Sequence, residues 1–174
     1  MGASTVQVYI PATLAMLQRL VADGSLSPVN GTAFAVTPTL REAYAEGDDD
    51  ELADVALREA ALASLRLLAG EEAGGDDRSV RPRRAVLAAE LDDVTFRPDL
   101  DDAVVRLAGP VPMDRVVAAY VDNAGAEEAV AKAIEAIDAA DLGDEDADLI
   151  VGDAQDHDLA WYANQELPFL LDLL

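Results

Sequence analysis

The chain has 174 residues, and its 35 Asp and Glu residues outnumber its 12 Lys and Arg residues, which gives a formal net charge of −23. A negative potential of that size repels phosphate backbones and anionic membranes, so it argues against general binding of nucleic acid or membranes and favours cations or basic partners. The favoured interpretation is that the acidity only keeps the protein soluble and monomeric. With 51% hydrophobic residues the chain can bury a sizeable core. We therefore expect one domain over residues 1–174.

The chain contains no cysteine, and His157 is its only histidine. This composition excludes disulfides, iron–sulfur clusters, a thiol nucleophile and zinc held by cysteine. The N-terminus resembles neither a secretory signal nor an anchor, no apolar run approaches 18 residues, and glycine-rich nucleotide motifs are missing. These features predict a cytoplasmic protein without a cofactor.

The N-terminal part of the chain repeats one pattern: an apolar strand, a proline, a threonine cap and a helix. Residues 6–10 predict a buried strand, and Thr13 can cap the helix that follows. Residues 32–36 predict a second strand, followed by a helix that Thr39 and Glu42 would start as a capping box. Because each strand feeds a helix, the two strands are expected to lie parallel.

The rest of the chain alternates helical and strand patterns. Apolar residues at helical spacing, started by an aspartate from residues 48–50, predict a long helix up to Gly70, and composition predicts a loop over residues 71–82. Three short apolar runs then predict a meander, and a helix follows. These four elements are residues 84–91, residues 103–107, residues 116–121 and residues 127–140.

The C-terminal part is ambiguous, because residues 148–163 fit either one helix or a hairpin, of which the hairpin is favoured. Asn164 would then cap a closing helix. The whole pattern predicts an α+β fold: a single two-layer domain with a mixed sheet of about five or six strands and helices mainly on one face.

Acidic residues at alternate positions, Asp144, Asp146 and Asp148, are spaced like the first three ligands of a calcium loop. The rest of that loop does not fit, since Leu149 stands at the glycine position and Gln155 at the position of the closing glutamate. A solvated acidic turn is the favoured interpretation of the segment.

His157 lies among aspartates just before the only tryptophan, Trp161, and Tyr162. A neutral imidazole beside carboxylates can act as a general base, but no nucleophile accompanies it, so a surface histidine is the simpler interpretation. His157, Trp161 and Tyr162 are candidate residues of a pocket wall. The two aromatic residues are otherwise expected in the core, because a small domain seldom exposes its largest ring.

Basic residues concentrate at one place, where Arg78, Arg81, Arg83 and Arg84 precede a predicted strand. Guanidinium groups suit paired recognition of phosphate or carboxylate, so this stretch is a candidate anion-contacting surface. The favoured alternative is internal pairing with acidic neighbours. The helix starts at Thr13 and Thr39 form a second candidate anion site, provided that they share one edge of the sheet.

Six short segments carry a family resemblance: residues 8–14, residues 33–38, residues 40–42, residues 156–159, residues 161–162 and residues 166–167. On these segments the chain is similar, over nearly its full length, to a family of small, acidic, uncharacterised actinobacterial proteins. The excess of Arg over Lys, eleven to one, agrees with that lineage. The resemblance implies no activity and no residue role.

A non-catalytic cytoplasmic binding or regulatory module, with a basic protein as the partner class, is the leading functional interpretation, because few side chains fit a catalytic arrangement. One alternative is an acidic decoy of a basic nucleic-acid-binding protein. Another is a hydrolase that binds a divalent metal through converging aspartates. Its candidate residues are Asp92, Asp93, Asp101, Asp102 and Asp156.

Overall fold

The computed structural model describes residues 5–44, 46–73 and 81–173, without the side chains of residues 71–73. The strands within these residues are β1 (Val6–Ala12), β2 (Ser25–Leu26), β3 (Thr32–Ala35), β4 (Ala85–Leu91), β5 (Val94–Phe96), β6 (Val104–Leu107), β7 (Val111–Pro112), β8 (Val116–Val121) and β9 (Ala160–Ala163). The α-helices are α1 (Leu14–Asp23), α2 (Pro38–Ala43), α3 (Asp49–Ala73), α4 (Glu127–Asp141), α5 (Glu145–Gln155) and α6 (Leu167–Leu173).

Seven strands form one sheet in the order β5-β6-β3-β1-β4-β8-β9, and β2 pairs with β7 in a second, two-stranded sheet. Every neighbouring pair of strands is antiparallel. The fold therefore mixes helices and strands as predicted, but the expected mixed sheet of five or six strands is wrong.

The expected parallel pair, β1 and β3, is antiparallel because of the segment between α1 and β3. Residues 24–31 span about 26 Å when extended, which is enough to carry the chain back along the length of a strand. The segment contains β2 and ends in a tight turn at Asn30 and Gly31, both with positive φ. β3 therefore enters the sheet at the end where β1 leaves it.

The predicted meander is also wrong, because β6 pairs with β3 and not with β4. The β5–β6 hairpin extends the sheet at one edge, while β8 and β9 extend it at the other. The two N-terminal strands β3 and β1 thus lie between β6 and β4.

Helices cover both faces of the sheet, so the expectation of helices mainly on one face does not hold. Alternate residues of β1, such as Val8 and Ile10, pack with α1 and α6, whereas Tyr9 packs with α2 and α3 on the other face. A third apolar cluster joins α3, α4 and α5. The central strands are buried on both faces, which explains their continuous apolar runs.

Residues 148–163 contain neither one helix nor a hairpin, since α5 is followed by β9. Asp144 caps α5 by accepting a hydrogen bond from the backbone N–H of Ala147 at 3.0 Å. Ala147, Val151 and Ala154 form the buried side of the helix. These residues are spaced one helical turn apart, so a helix buries all three on one side. This spacing favours a helix despite the strand-like run at residues 149–151.

The long helix was predicted correctly through Gly70, and Asp48 caps it by accepting from the N–H of Glu51 at 2.8 Å. The predicted loop over residues 71–82 begins later than expected, because α3 continues to Ala73. Residues 74–80 of that loop lie outside the described residues.

Candidate functional site

Arg81, Arg83 and Arg84, the candidate anion-contacting residues, all face carboxylates of the same chain. Arg83 Nε donates to Oε2 of Glu127 at 2.8 Å, and Arg81 Nη1 lies 3.7 Å from the same oxygen. Arg84 pairs with Asp122, and both side chains are buried. These contacts support the internal interpretation of the arginine cluster. Arg78, which completes the cluster in the sequence, lies outside the described residues.

Arg84 connects three elements of the fold. Its Nε and Nη2 donate to the two carboxylate oxygens of Asp122 just after β8, each at 2.8 Å. Its Nη1 donates to Oε1 of Gln155 at the end of α5, and Nη2 also donates to the carbonyl oxygen of His157, again at 2.8 Å. The guanidinium therefore holds the end of α5 against the sheet. Asp122 was not predicted, although a charged residue directly after a buried strand is a signal for such a partner.

The two threonine helix starts do not form a joint anion site. Thr13 caps α1 as predicted, accepting from the N–H of Met16 at 3.2 Å. The cap of α2, however, is Thr37, which accepts from the N–H of Leu40 at 3.0 Å, whereas Thr39 lies inside the helix. Because β1 and β3 are antiparallel, α1 and α2 also begin at opposite ends of the sheet.

The three residues of the candidate calcium loop take separate positions in α5. Asp144 is the N-cap, while Asp146 and Asp148 lie in the first turns. Successive residues of a helix are rotated by about 100°, so side chains two positions apart point in different directions. Within the part of the chain that the structure describes, no three His, Asp or Glu side chains are placed to hold a metal ion.

The aspartates of the hydrolase alternative are spread over the fold. Asp92 is bound by Arg115 at 3.2 Å, and Asp93 is exposed between β4 and β5. Asp101 and Asp102 lie in the β5–β6 connection, while Asp156 follows α5 near β9, at the opposite edge of the sheet. Of these five candidates, Asp101 and Asp102 line one cavity.

Asp101 and Asp102 line a small cavity of about 90 Å³ with Glu59 of α3. Burial raises the pKa of the Glu59 carboxyl, and the nearby negative charge of Asp101 raises it further, against an opposing effect of Arg66. Apolar side chains such as Phe34 and Val55 form the rest of the wall. Glu59 was not predicted as a site residue, since its position on a helix carries no distinguishing signal.

His157, a candidate pocket-wall residue, lies at an open cleft of about 430 Å³ between α4 and α5. The cleft also carries Glu128, Lys132 and Asp153. Lys132 is already paired with Glu128 at 3.3 Å. The backbone of His157 has a structural role, because its carbonyl accepts from Arg84.

Trp161 is 57% exposed, so its expected position in the core is wrong. Tyr162 next to it is partly buried and packs against the cluster of α1 and α6. Trp161 pairs with Tyr120 across β8 and β9 and shares that residue's face of the sheet. On this face α3 packs against β1, β3 and β4, which are the central strands of the sheet.

β9 is the last strand of the seven-stranded sheet, and β8 is its one neighbour among the described strands. Its four residues, two alanines, Trp161 and Tyr162, carry no charge and no proline. Natural edge strands usually contain charged residues or proline, because these residues prevent pairing with another chain. The pairing of β9 with another chain is instead limited by the short length of the strand and by the charges of Asp158 and Glu166, which lie on either side of it.

The surroundings of β9 in the sequence are uniformly acidic. Residues 133–174 contain twelve Asp or Glu residues and no Lys or Arg, so this quarter of the chain carries more than half of the net charge. Exposed apolar side chains occur in the same segment, at Leu149 of α5 and at Phe169 and Leu173 of α6. We call the outer edge of β9 with Trp161, Asp158 and Glu166 the β9 edge.

The sequence profile of a family of unknown function, DUF6912, matches residues 6–171, so the chain belongs to this family. The match covers nearly the whole chain, as the resemblance predicted, but it does not test the expected actinobacterial lineage. Comparisons with curated proteins and with solved structures found no match. None of the described helices is both long enough and apolar enough to span a membrane.

Proposed function

We propose that the protein is a non-catalytic cytoplasmic module that binds a basic protein partner at the β9 edge. The observation that carries this proposal is the exposure of Trp161, 57%, on an edge strand within an acidic segment without Lys or Arg. Tryptophan is enriched where proteins bind each other, since its ring contributes a large apolar contact area and a hydrogen-bond donor.

A basic partner fits both the exposed indole ring and the negative charge of the β9 edge. A guanidinium or ammonium group over the face of an indole ring is stabilised by about 0.5–2 kcal/mol. The flanking carboxylates of Asp158 and Glu166 add an attraction that speeds encounter with a cationic surface and selects against acidic ones. The acidic decoy is a special case of this proposal, in which the partner's basic surface normally holds nucleic acid.

The hydrolase alternative has less support from the geometry. Its aspartates lie at opposite edges of the sheet, and the pair that does meet, Asp101 and Asp102, lines a cavity of only about 90 Å³. That volume corresponds to about three water molecules. We therefore place the function at the β9 edge and not at the cavity of Glu59.

Calorimetric titration with a basic probe peptide tests the proposal. The probe alternates arginine and threonine over about ten residues, the length of a long strand. At about 0.1 M salt we expect the wild-type chain to bind this probe and Trp161→Ala to bind it about tenfold more weakly, or about 1.4 kcal/mol. A peptide with glutamate in place of arginine should not bind.

Phe96→Ala is the matched control, because Phe96 is also an exposed aromatic residue, 42%, on the strand at the other edge of the sheet. It should leave the affinity for the probe unchanged within about twofold. The proposal fails if the probe does not bind the wild-type chain, or if the two alanine variants weaken binding equally.

A further inference from the structure

The main chain of β9 has one edge available for pairing. Its register with β8 is continuous over all four residues, from Ala160 opposite Val121 to Ala163 opposite Ala118. In an antiparallel pair each strand directs only alternate N–H and C=O groups towards its neighbour. Of the remaining groups, the N–H of Ala163 already donates to Oε1 of Glu166 at 2.9 Å. The others point away from the sheet, where the described residues provide no further strand.

A second copy of the chain is a poor occupant of this edge. Pairing two β9 strands would bring the acidic flanks, Asp158 and Glu166, of both copies together. Like charges close to one another across paired strands are destabilising, and a net charge of −23 on each chain adds a general repulsion. The charge that hinders self-pairing attracts a cationic strand.

The direction of the Trp161 side chain determines which residues of an added strand would contact it. Trp161 lies on the face of Tyr120, whereas Tyr162 points to the opposite face and packs against the cluster of α1 and α6. In a strand, successive side chains alternate between the two faces. Every second residue of an added strand would therefore lie on the Trp161 face.

We infer that the partner binds as an extended segment that adds one strand to the sheet at β9, with arginine or lysine at alternate positions on the Trp161 face. This inference rests on the proposed function and specifies its partner. Main-chain hydrogen bonds to β9 provide the affinity, and the cationic side chains provide the specificity, through the indole ring and the carboxylates of Asp158 and Glu166.

Backbone N-methylation of the alternating arginine–threonine probe tests the inference without changing its charge. One peptide carries the methyl groups on the arginines, and the other carries them on the threonines. In an added strand the N–H groups of one residue type all face β9 and those of the other all face solvent. One methylated peptide should therefore lose affinity by about tenfold or more, while the other keeps it.

The outcomes separate the inference from the proposed function. Equal affinities for the two methylated peptides, whether retained or lost, would overturn strand addition, although tight binding of the unmethylated probe would leave the proposed function standing. Failure of the unmethylated probe to bind would overturn both. A concentration-dependent dimer that Trp161→Asp abolishes in analytical ultracentrifugation would identify a second copy as the occupant and also overturn the inference.

Discussion

Arg84 and Asp122 form a bidentate ion pair in the interior, with two N–H to oxygen distances of 2.8 Å and both side chains buried. The backbone N–H of Arg84 donates to the same carboxylate at 2.8 Å, and the N–H of Asp122 donates to the carbonyl of Arg84 at 3.1 Å. A pair of buried charges persists when its hydrogen bonds are satisfied in this way. Arg84, one of the arginines that the sequence offers as a binding surface, is thus part of the scaffold next to the β9 edge.

Removing one member of this pair should destabilise the fold strongly. Asp122→Ala leaves the guanidinium of Arg84 buried without its carboxylate, so we expect the free energy of unfolding to fall by about 3–5 kcal/mol in urea denaturation. Arg97→Ala is the control, because Arg97 binds Asp99 with similar two-point geometry at the surface. That control should show no measurable loss, and an equal loss in both variants would contradict the structural role assigned to Asp122.

Thr37 and Thr39 should differ clearly when each is replaced by alanine. Thr37 accepts from the N–H of Leu40 and donates to the carbonyl of Asp102, so Thr37→Ala removes a helix cap and a buried hydrogen bond. We expect a loss of about 1–2 kcal/mol by thermal or urea unfolding. Thr39→Ala should change stability by less than about 0.5 kcal/mol. A larger loss for Thr39→Ala than for Thr37→Ala would instead support the capping box that the sequence pattern predicts at Thr39.

Glu59 should make the protein less stable at neutral pH than it would be with a neutral side chain. Its pKa is raised in the folded state by burial and by Asp101, so folding favours the protonated form. Its contribution is therefore most favourable below the unfolded value of 4.5 and is lost as the pH rises through the folded pKa.

Glu59→Gln should accordingly be more stable than the wild-type chain at pH 7. Because Glu59 is only partly buried, solvent screening limits the gain to about 0.5 kcal/mol or less. The two proteins should reach the same stability below pH 4.5, the ordinary pKa of a glutamate carboxyl. Melting temperatures of both proteins measured across this pH range test this expectation. A difference between them that stayed constant with pH would refute the raised pKa of Glu59.

Local sequence patterns predict those elements in which the spacing of the buried apolar residues matches the period of a helix or a strand. The apolar positions of α3 and α4 and the continuous apolar runs of β4 and β8 identify these elements correctly. α5 was mistaken for part of a hairpin because its β-branched residues are consecutive. The cap at Asp144 and the buried residues one turn apart decide in favour of a helix.

The direction and order of the strands could not be predicted in the same way. Whether β3 lies parallel to β1 depends on the path of residues 24–31, and a sequence shows the length of such a segment but not its direction. The exposure of Trp161 has a similar cause, since it depends on which strands of the sheet α3 covers. Both properties are set by tertiary packing far from the residues concerned.

The central claim is that a basic partner binds at the β9 edge. The fluorescence of Trp161 tests this claim most directly, because Trp161 is the only tryptophan in the chain and lies on that edge. Titration with the alternating arginine–threonine peptide should change its emission in a saturable way, with a midpoint equal to the calorimetric dissociation constant. The affinity should fall as added salt screens the charges. Calorimetric binding that leaves the emission of Trp161 unchanged would contradict the account, since the peptide would then bind elsewhere.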